Sequence, residues 1–385
     1  MHDLIEELFL RNFSERGELG ASVAVWKDGE EILSLHQGWM DQNEQNRWTQ
    51  DTLTPVWSTT KGPSAVAALL ALHEGSIALH SQVSELWPEL KAARESKLTF
   101  AQLLSHQSGL PALSSDSRPH ILSYRDVIGA LEKQEPYWTP GKAHGYHPRT
   151  IGFLLDEIVR RVTGGISLGQ FWNDRIATPY QIDFRLGDLT AGIVDRIATV
   201  YPPTSVKPSE EELPFFRSLA DKDSLATAVF ASPDGMRALS DINQLDYLQA
   251  GLPALGGVGS ANGLAKFYQI LAQSGQLGGV QVLPKPVIEA AFTLQTSGGD
   301  HTFLMPTAFT AGFMRDPIGS DGQKHRQHFG PSHRAFGQPG AGGSHAFADP
   351  ETGLSFAYVM NQMEAGILPN RKSLDLIDTI YEELE

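Results

Sequence analysis

The feature that most constrains this chain is an unbroken apolar run at residues 65–72, AVAALLAL. A helix that is apolar on every side is stable only when other elements surround it, so this run predicts a central, buried helix. Pro63 lacks a backbone N–H and fits a helix only near its first turn, which places the start just before the run. Gly75 follows the run and predicts the end of the helix. The rest of the fold must therefore be built around this element.

The segment in front of the helix carries the pattern Ser-x-x-Lys at Ser58 and Lys61. Residues three apart on a helix share one face, so the pattern places a hydroxyl beside an amine at a helix N-terminus. Serine becomes a nucleophile when a base takes its proton, and lysine is such a base only where its ammonium form is disfavoured. The helix N-terminus adds N–H groups that can hold an oxyanion. By itself, the pattern also fits Ser58 as a helix cap and Lys61 as a solvated residue.

Composition and charge narrow the class of protein. The 385 residues are 41% hydrophobic and 19% charged, which is typical of a globular enzyme and not of a disordered chain. The net charge of −15 argues against nucleic acid and anionic membranes as partners. The absence of cysteine excludes disulfides and thiol catalysis. No run of about 18 apolar residues is present, and the acidic first residues lack the features of a signal peptide, so we expect a cytoplasmic protein.

Strand patterns cluster at the two ends of the chain and helical patterns in the middle. Residues 21–27 and 31–35 form a predicted hairpin around Asp28-Gly29, and residues 344–348 and 354–360 form another. A helix is expected over residues 374–384. These patterns predict an α+β fold. An α/β lobe would come from residues 1–75 and 300–385, with a mainly helical lobe inserted at residues 76–299.

The segment at residues 166–255 has mixed patterns that specify no clear element. Pro202-Pro203, Pro208 and the acidic run at residues 210–212 indicate an excursion over the surface. A cleft between two lobes is a common place for an active site, and we expect the site there.

Two further segments supply what an acyl-transfer site needs beside a nucleophile. Tyr146 follows Pro140-Gly141 in a loop before a predicted helix, and a tyrosine beside a cationic amine is expected to have a lowered phenol pKa. A tyrosine that merely closes the loop fits the same pattern. Glycines at 337, 340, 342 and 343 precede the late hairpin and allow a backbone N–H to approach a ligand. The spacing of these glycines is not that of a dinucleotide site, and no His-Glu-x-x-His pattern occurs, so no cofactor or metal is expected.

In their order and spacing these three segments resemble the serine β-lactamase and penicillin-binding-protein superfamily. The chain looks most like the class C β-lactamases and the family VIII carboxylesterases, and the resemblance extends from about Gly20 to Met363. It implies a single β-lactamase-like catalytic unit over residues 1–385, with an antiparallel sheet flanked by helices. The supporting stretches are residues 103–111, 257–261 and 347–353.

The resemblance assigns roles residue by residue. Ser58 matches the family nucleophile, Lys61 its partner base and Tyr146 the tyrosine of the Tyr-x-Asn motif. The N–H groups of Ser58 and Ala341 match the oxyanion pair. Whether Lys61 or Tyr146 takes the proton during acylation stays open at this point.

The substrate-binding part departs from the family pattern. Gln338 stands where the family has lysine or histidine in its third motif, and Gly340 matches the glycine of that motif. Pro148 replaces the Asn of Tyr-x-Asn, so a side-chain amide is missing. Gln338, Gly340 and His147 are the predicted substrate-binding residues. Both departures weaken a β-lactamase or peptidase assignment and favour a neutral substrate.

The sequence thus predicts a serine carboxylesterase that cleaves small neutral esters through an acyl-enzyme intermediate. A weak β-lactamase or D-amino-acid amidase is the first alternative. A non-catalytic scaffold or binding protein with the same fold is the second. The expected partner is a small-molecule ester, and the pattern leaves both the ester itself and any assembly into homo-oligomers open.

Overall fold

In the computed structural model, which describes residues 2–205 and 207–384, strands near both ends of the chain enclose a mainly helical middle. The helices are α1 (His2–Glu15), α2 (Lys61–Glu74), α3 (Val83–Leu86), α4 (Lys91–Ser96), α5 (Phe100–Leu104), α6 (Tyr124–Lys133), α7 (Thr150–Thr163), α8 (Leu168–Trp172), α9 (Ala191–Val194), α10 (Leu213–Leu219), α11 (Leu225–Ala231), α12 (Leu245–Ala250), α13 (Ala261–Ala272), α14 (Lys285–Phe292) and α15 (Arg371–Leu384). The strands are β1 (Gly20–Lys27), β2 (Glu30–Gly38), β3 (Thr54–Pro55), β4 (Phe184–Arg185), β5 (Val258–Gly259), β6 (Gln276–Leu277), β7 (Val280–Gln281), β8 (Thr296–Gly299), β9 (Pro306–Phe309), β10 (Met314–Arg315), β11 (Phe336–Pro339), β12 (His345–Asp349) and β13 (Leu354–Met360). Single turns of 3₁₀ helix lie at Trp57–Thr60, Glu210–Glu212 and Leu239–Asn243, and a π turn lies at Asn173–Ala177.

The two ends of the chain meet inside one antiparallel sheet with strand order β2-β1-β13-β12-β11-β10-β9-β8. Strand β1 pairs with β13, so that Val25 lies opposite Phe356. Both predicted hairpins are confirmed, β1–β2 at Asp28-Gly29 and β12–β13 near the C-terminus. The final helix begins at Arg371, three residues before the predicted start, because the Asn370 side chain accepts the Lys372 N–H at 3.0 Å and caps its first turn.

Helices cover the sheet on both faces. Helix α13, which Ser260 caps as its side chain accepts the Gly263 N–H at 3.0 Å, packs against β1, β12 and β13. Helices α1 and α15 pack together on the opposite face, where the Phe9 ring meets the Tyr358 ring at 6.4 Å. The division into a lobe of residues 1–75 with 300–385 and an inserted lobe of residues 76–299 stays a prediction.

Helix α2 is the predicted central helix, and its residues from Lys61 to Leu72 are buried. It packs against α7, α8 and α14, and it ends at Gly75 as expected. Small residues permit this close packing: a Cβ atom on Gly312 would lie 2.2 Å from Cβ of Ala65. Within the described residues, no helix combines the length and apolar character needed to cross a bilayer.

Candidate active site

The predicted nucleophile lies on a 3₁₀ turn between β3 and α2. Ser58 is the second residue of the turn Trp57–Thr60, and Lys61 is the first residue of α2. The sequence placed both residues on one α-helix, but the contact between them is preserved because residues three apart eclipse each other in a 3₁₀ turn. Trp57, just before the nucleophile, has a left-handed backbone (φ +49°), a strained conformation that the surroundings must hold in place.

Contacts from three distant segments hold this turn. Strand β3 pairs with β5, which in turn pairs with β4. The Thr60 hydroxyl accepts the Gly257 N–H at 3.0 Å, and the Thr59 hydroxyl donates to the Ser344 carbonyl at 3.4 Å. The position of Ser58 is therefore fixed by backbone on both sides of the turn, as a preorganised nucleophile requires.

Lys61 reaches Ser58 from a fully enclosed position. Its Nζ lies 3.1 Å from Ser58 Oγ, and it donates to the Pro148 carbonyl at 3.0 Å and the Ala254 carbonyl at 2.7 Å. Burial holds the pKa of Lys61 well below its usual value, because the ammonium ion would lose its hydration. A neutral amine has two N–H donors and one lone pair. Since the two carbonyls take both donors, the lone pair is left for the Ser58 hydroxyl.

Tyr146 lies on the other side of this pair. Its hydroxyl accepts a hydrogen bond from Gln338 Nε2 at 3.3 Å, and its ring centroid lies 4.8 Å from Lys61 Nζ. Burial raises the pKa of Tyr146, and its hydrogen bonds with Ser58 and Gln338 lower it by less. The expected lowering is therefore wrong: the neighbouring lysine is itself pushed toward its neutral form, so little cationic charge is present to stabilise a phenolate.

A buried carboxylate that sequence reasoning missed holds the backbone at Tyr146. Both oxygens of Asp300 accept the Tyr146 N–H at 3.1 Å, and Oδ1 also accepts the N–H groups of Thr302 and Phe303 at 2.8 Å. The Thr307 hydroxyl donates to Oδ2 at 3.0 Å. Asp300 thereby also places Phe303, whose ring stacks on the Tyr146 ring at 4.6 Å. A single aspartate just after β8 carries no motif that could have revealed this contact.

The glycine-rich segment after β11 closes against the nucleophile turn. The Gly340 N–H donates to the Ser344 carbonyl at 2.6 Å, and a Cβ atom at Gly340 would lie 2.3 Å from the Val56 carbonyl oxygen. Only glycine permits this approach. Ala341 follows and borders the same cleft as Ser58. Within residues 2–205 and 207–384, neither the Ser58 N–H nor the Ala341 N–H donates to a backbone carbonyl, which leaves both available for an oxyanion.

Ser58 and Ala341 open into a cleft of about 1130 Å³. Its inner end is formed by Ser58, Trp57, Pro148 and Ala341. Its outer part is mostly apolar and comes largely from the segment that the sequence left unassigned. The outer lining includes Phe215, Phe216, Leu219, Phe230, Met236, Leu239, Met363 and Ile367.

Comparison with known proteins agrees with this geometry. The sequence model of the family described as beta-lactamase matches residues 8–375. The chain belongs to the beta-lactamase family. The resemblance inferred from the three motifs is thus confirmed, and so is the β-lactamase-like fold.

Family members of several descriptions are similar to the chain. It is 28% identical over 357 residues to the esterase/beta-lactamase LipL of Mycobacterium tuberculosis, which covers 92% of this chain and 80% of LipL. A penicillin-binding protein homologue from Caulobacter crescentus has 32% identity and a TM-score of 0.85, with 98% of this chain and 96% of that one covered. A family VIII carboxylesterase has 30% identity and a TM-score of 0.85, with 99% and 97% covered.

The two positions that depart from the family motifs still contact the catalytic group. Pro148 cannot supply the missing amide, but its backbone carbonyl accepts a hydrogen bond from Lys61. Gln338 is buried and donates to the Tyr146 hydroxyl and, at 3.1 Å, to the Pro339 carbonyl. The amide is thus engaged with Tyr146, and a contact of Gln338 with substrate stays a prediction.

His147, the other side chain predicted to bind substrate, is packed inside the protein. Its ring is completely buried, with Nε2 at 2.8 Å from the Ser108 hydroxyl and Nδ1 at 2.6 Å from the Gly145 carbonyl. Burial lowers the pKa of His147 to about 3. Both ring nitrogens are used inside the protein, so His147 braces the Tyr146 loop instead of facing the cleft. Gly340 acts through its close approach to the nucleophile turn and supplies no side chain.

Proposed function

We propose that this protein is a serine carboxylesterase that hydrolyses small neutral esters through an acyl-enzyme intermediate. The observation that carries the proposal is the surroundings of Lys61 Nζ, which has two carbonyl acceptors and the Ser58 hydroxyl as its three hydrogen-bond partners. Burial disfavours the ammonium form of this amine, and the amine lies within hydrogen-bond reach of a hydroxyl, as an activating base must.

In the acylation step, Ser58 Oγ attacks the ester carbonyl carbon while its proton passes to Lys61 Nζ. The Ser58 and Ala341 N–H groups hold the negative charge that forms on the carbonyl oxygen. The raised pKa of Tyr146 keeps its phenol protonated, so its hydroxyl is suited to give a proton to the departing alkoxide. Lys61, now an ammonium ion, returns a proton to the tyrosine. The alcohol leaves, and the acyl group stays on Ser58.

Deacylation runs through the same groups in reverse order. A water molecule takes the place of the alcohol, and the Lys61–Tyr146 pair accepts its proton as it attacks the acyl carbon. The C–O bond to Ser58 breaks, and Ser58 recovers a proton. The products are a carboxylic acid and the enzyme in its starting protonation state.

A neutral ester is favoured over a β-lactam because the third-motif position offers little to a carboxylate. The third-motif residue is the neutral Gln338, and its amide is turned toward Tyr146. The net charge of −15 adds repulsion for anionic substrates at low salt. The relatives support the same choice: one is described as an esterase/beta-lactamase and another as a family VIII carboxylesterase.

The test is a panel of p-nitrophenyl esters assayed beside a chromogenic β-lactam. We expect kcat/KM for p-nitrophenyl butyrate to exceed that for any penicillin or cephalosporin. The reverse order would replace the esterase by the β-lactamase alternative. Labelling by a fluorophosphonate, with Ser58→Ala as the control, decides between an enzyme and a scaffold: a protein that neither labels nor turns over ester is a non-catalytic member of the family.

A further inference from the structure

The outer wall of the cleft takes no part in the proposed acylation and deacylation steps. It consists of α10 and α11 with the loop that follows, residues 213–239, and we call it the apolar wall. We infer that the apolar wall binds a large apolar group of the ester, on either its acyl or its alcohol side. The inference rests on the proposed function and names the class of substrate: neutral esters that carry an extended alkyl or aryl group.

The apolar wall presents partly exposed apolar side chains to the cleft. Phe216, Leu219 and Phe230 line the cleft while only half-buried, so their rings and methyl groups face open space. Half-exposed phenylalanine and leucine side chains that share one concave face are uncommon unless something covers them. Of the charged residues that line the cleft, Asp234 and the well-exposed Arg237 pair with each other at 3.1 Å. Arg118, Arg149 and Glu364 also line the cleft, so the apolar side chains share it with charged groups.

Packed aromatic rings connect the apolar wall to Tyr146. The Tyr146 ring stacks on Phe303 at 4.6 Å, and Phe303 meets Phe215 edge to face at 5.7 Å. Phe215 in turn contacts Phe216 at 5.4 Å and Phe230 at 5.8 Å. The surface that meets the apolar group is thus in direct contact with the residue that supports Tyr146.

Arg149 fixes the loop of the apolar wall in place. This side chain is nearly buried, and it donates to the carbonyls of Pro233 at 3.0 Å, Gly235 at 2.8 Å and Met236 at 2.9 Å. Arg149 directly follows Pro148, whose carbonyl binds Lys61. The distance between the apolar wall and the nucleophile is therefore set by one rigid segment. Three of the five N–H donors of Arg149 are thus directed at the backbone of this loop.

The size of the cleft favours a substrate larger than a butyrate ester. At about 1130 Å³ it slightly exceeds the usual range for small-molecule sites, about 300–1,000 Å³. A methylene group that becomes fully buried improves binding by about fourfold. Because Phe216, Leu219 and Phe230 are partly exposed where they line the cleft, each added methylene that reaches them gains burial on both surfaces.

The test uses two series of neutral esters with the full-length protein. The acyl series is p-nitrophenyl acetate, butyrate, octanoate and decanoate, and the alcohol series is ethyl, butyl and octyl acetate followed by acid release. We expect kcat/KM to rise at least about tenfold with chain length in one series, which identifies the side of the ester that meets the apolar wall. A flat or falling dependence in both series would overturn the inference.

A matched pair of substitutions locates the effect. Leu219→Asn puts a polar group on the apolar wall, and Leu245→Asn makes the same change at an exposed leucine outside the cleft. We expect Leu219→Asn to lower the ratio of long-chain to short-chain kcat/KM at least about threefold, with a larger loss in Leu219→Asn/Phe230→Asn. Leu245→Asn should leave the ratio unchanged. An unchanged ratio in the double variant would refute the role of the apolar wall.

Fluorophosphonate labelling distinguishes a failure of the apolar-wall inference from a failure of the proposed function. Variants that still label at Ser58 are folded at the catalytic centre, so their ratios are interpretable. If the unmodified protein labels and cleaves acetate without any chain-length preference, the esterase proposal stands and the apolar-wall inference fails. If it neither labels nor cleaves any ester, the proposed function itself fails.

Discussion

The inner and outer parts of the cleft are built on opposite principles. In the inner part, Lys61 Nζ contacts three partners, and the carboxylate of Asp300 accepts bonds from three backbone N–H groups and a hydroxyl. In the outer part, Phe216, Leu219 and Phe230 are half-exposed and hold no polar contact that fixes their orientation. The inner part is therefore specified group by group, and the outer part by shape and apolar character.

This difference indicates how the two parts respond to change. A polar network in a buried site fails as a unit when one member is removed, because the remaining groups lose their partners. An apolar surface changes gradually, by the area it gains or loses. We therefore expect substitutions in the inner part to abolish turnover and those in the outer part to shift substrate preference.

The largest effect is expected at the nucleophile. Ser58→Ala should fold normally and lose turnover, because no other hydroxyl occupies its place beside Lys61. Steady-state hydrolysis of p-nitrophenyl butyrate measures the loss, and thermal unfolding checks the fold. A residual rate above about one hundredth of the unmodified enzyme would remove Ser58 from the mechanism, since loss of a nucleophile usually costs far more.

Lys61→Arg tests whether the base must be neutral. Arginine stays protonated at every accessible pH, so this variant should be as inactive as Lys61→Ala throughout the profile. In the unmodified enzyme, burial depresses the pKa of Lys61 and so favours the neutral amine, and activity should fall as the pH drops through that pKa. The pH dependence of kcat/KM provides the measurement. A Lys61→Arg enzyme with substantial activity at pH 7 would contradict the assignment of Lys61 as base.

The coupling between Lys61 and Tyr146 is the next largest effect. Lys61→Ala and Tyr146→Phe should each lower kcat at least about a hundredfold, the usual scale of general acid–base catalysis. The double variant should lose much less than the product, because the two groups handle the same proton. A double-mutant cycle on kcat measures the coupling between Lys61 and Tyr146. Fully multiplicative losses would mean that the two residues serve separate proton paths.

Asp300 should have a smaller and indirect effect. Asp300→Asn replaces an acceptor by an amide that presents N–H groups to backbone N–H groups, so the Tyr146 loop loses part of its support. We expect kcat to fall about tenfold with little change in KM, the pattern of lost positioning. In a Tyr146→Phe background the same change should have little further effect on kcat. An equal loss in both backgrounds would assign Asp300 to general stability instead.

The last effect concerns substrate preference and is expected at Gln338, whose amide contacts the Tyr146 hydroxyl. Gln338→Lys or Gln338→His should narrow the gap between ester and β-lactam kcat/KM by about tenfold, because a charged donor binds a carboxylate more strongly than a neutral amide does. The same cation would lie against the Tyr146 hydroxyl and lower the pKa of that phenol. The measurements are kcat/KM for both substrate classes and the alkaline limb of the pH profile. An unchanged ratio would show that position 338 does not govern substrate charge.

What the sequence determined by itself was local in the chain. The apolar run of α2 and the Asp28-Gly29 hairpin depend on residues a few positions apart, and the structure confirms both. The neighbourhood of Ser58 and Lys61 is of the same kind, because either a 3₁₀ turn or an α-helix brings residues three apart together. These features follow from backbone geometry and survive small errors in the predicted boundaries.

Tertiary structure alone decided the chemistry around those residues. Asp300 lies 154 residues from Tyr146, and the Ala254 carbonyl lies 193 residues from Lys61, so no pattern along the chain links them. The direction of the Tyr146 pKa shift was predicted wrongly for this reason, since burial by distant segments outweighs the neighbours that a motif reveals. The sequence likewise did not predict the apolar wall. Its side chains form one surface only after α10 and α11 pack together and Phe215 of α10 packs against Phe303. Local periodicity specifies elements, whereas desolvation and long-range contacts set what those elements do.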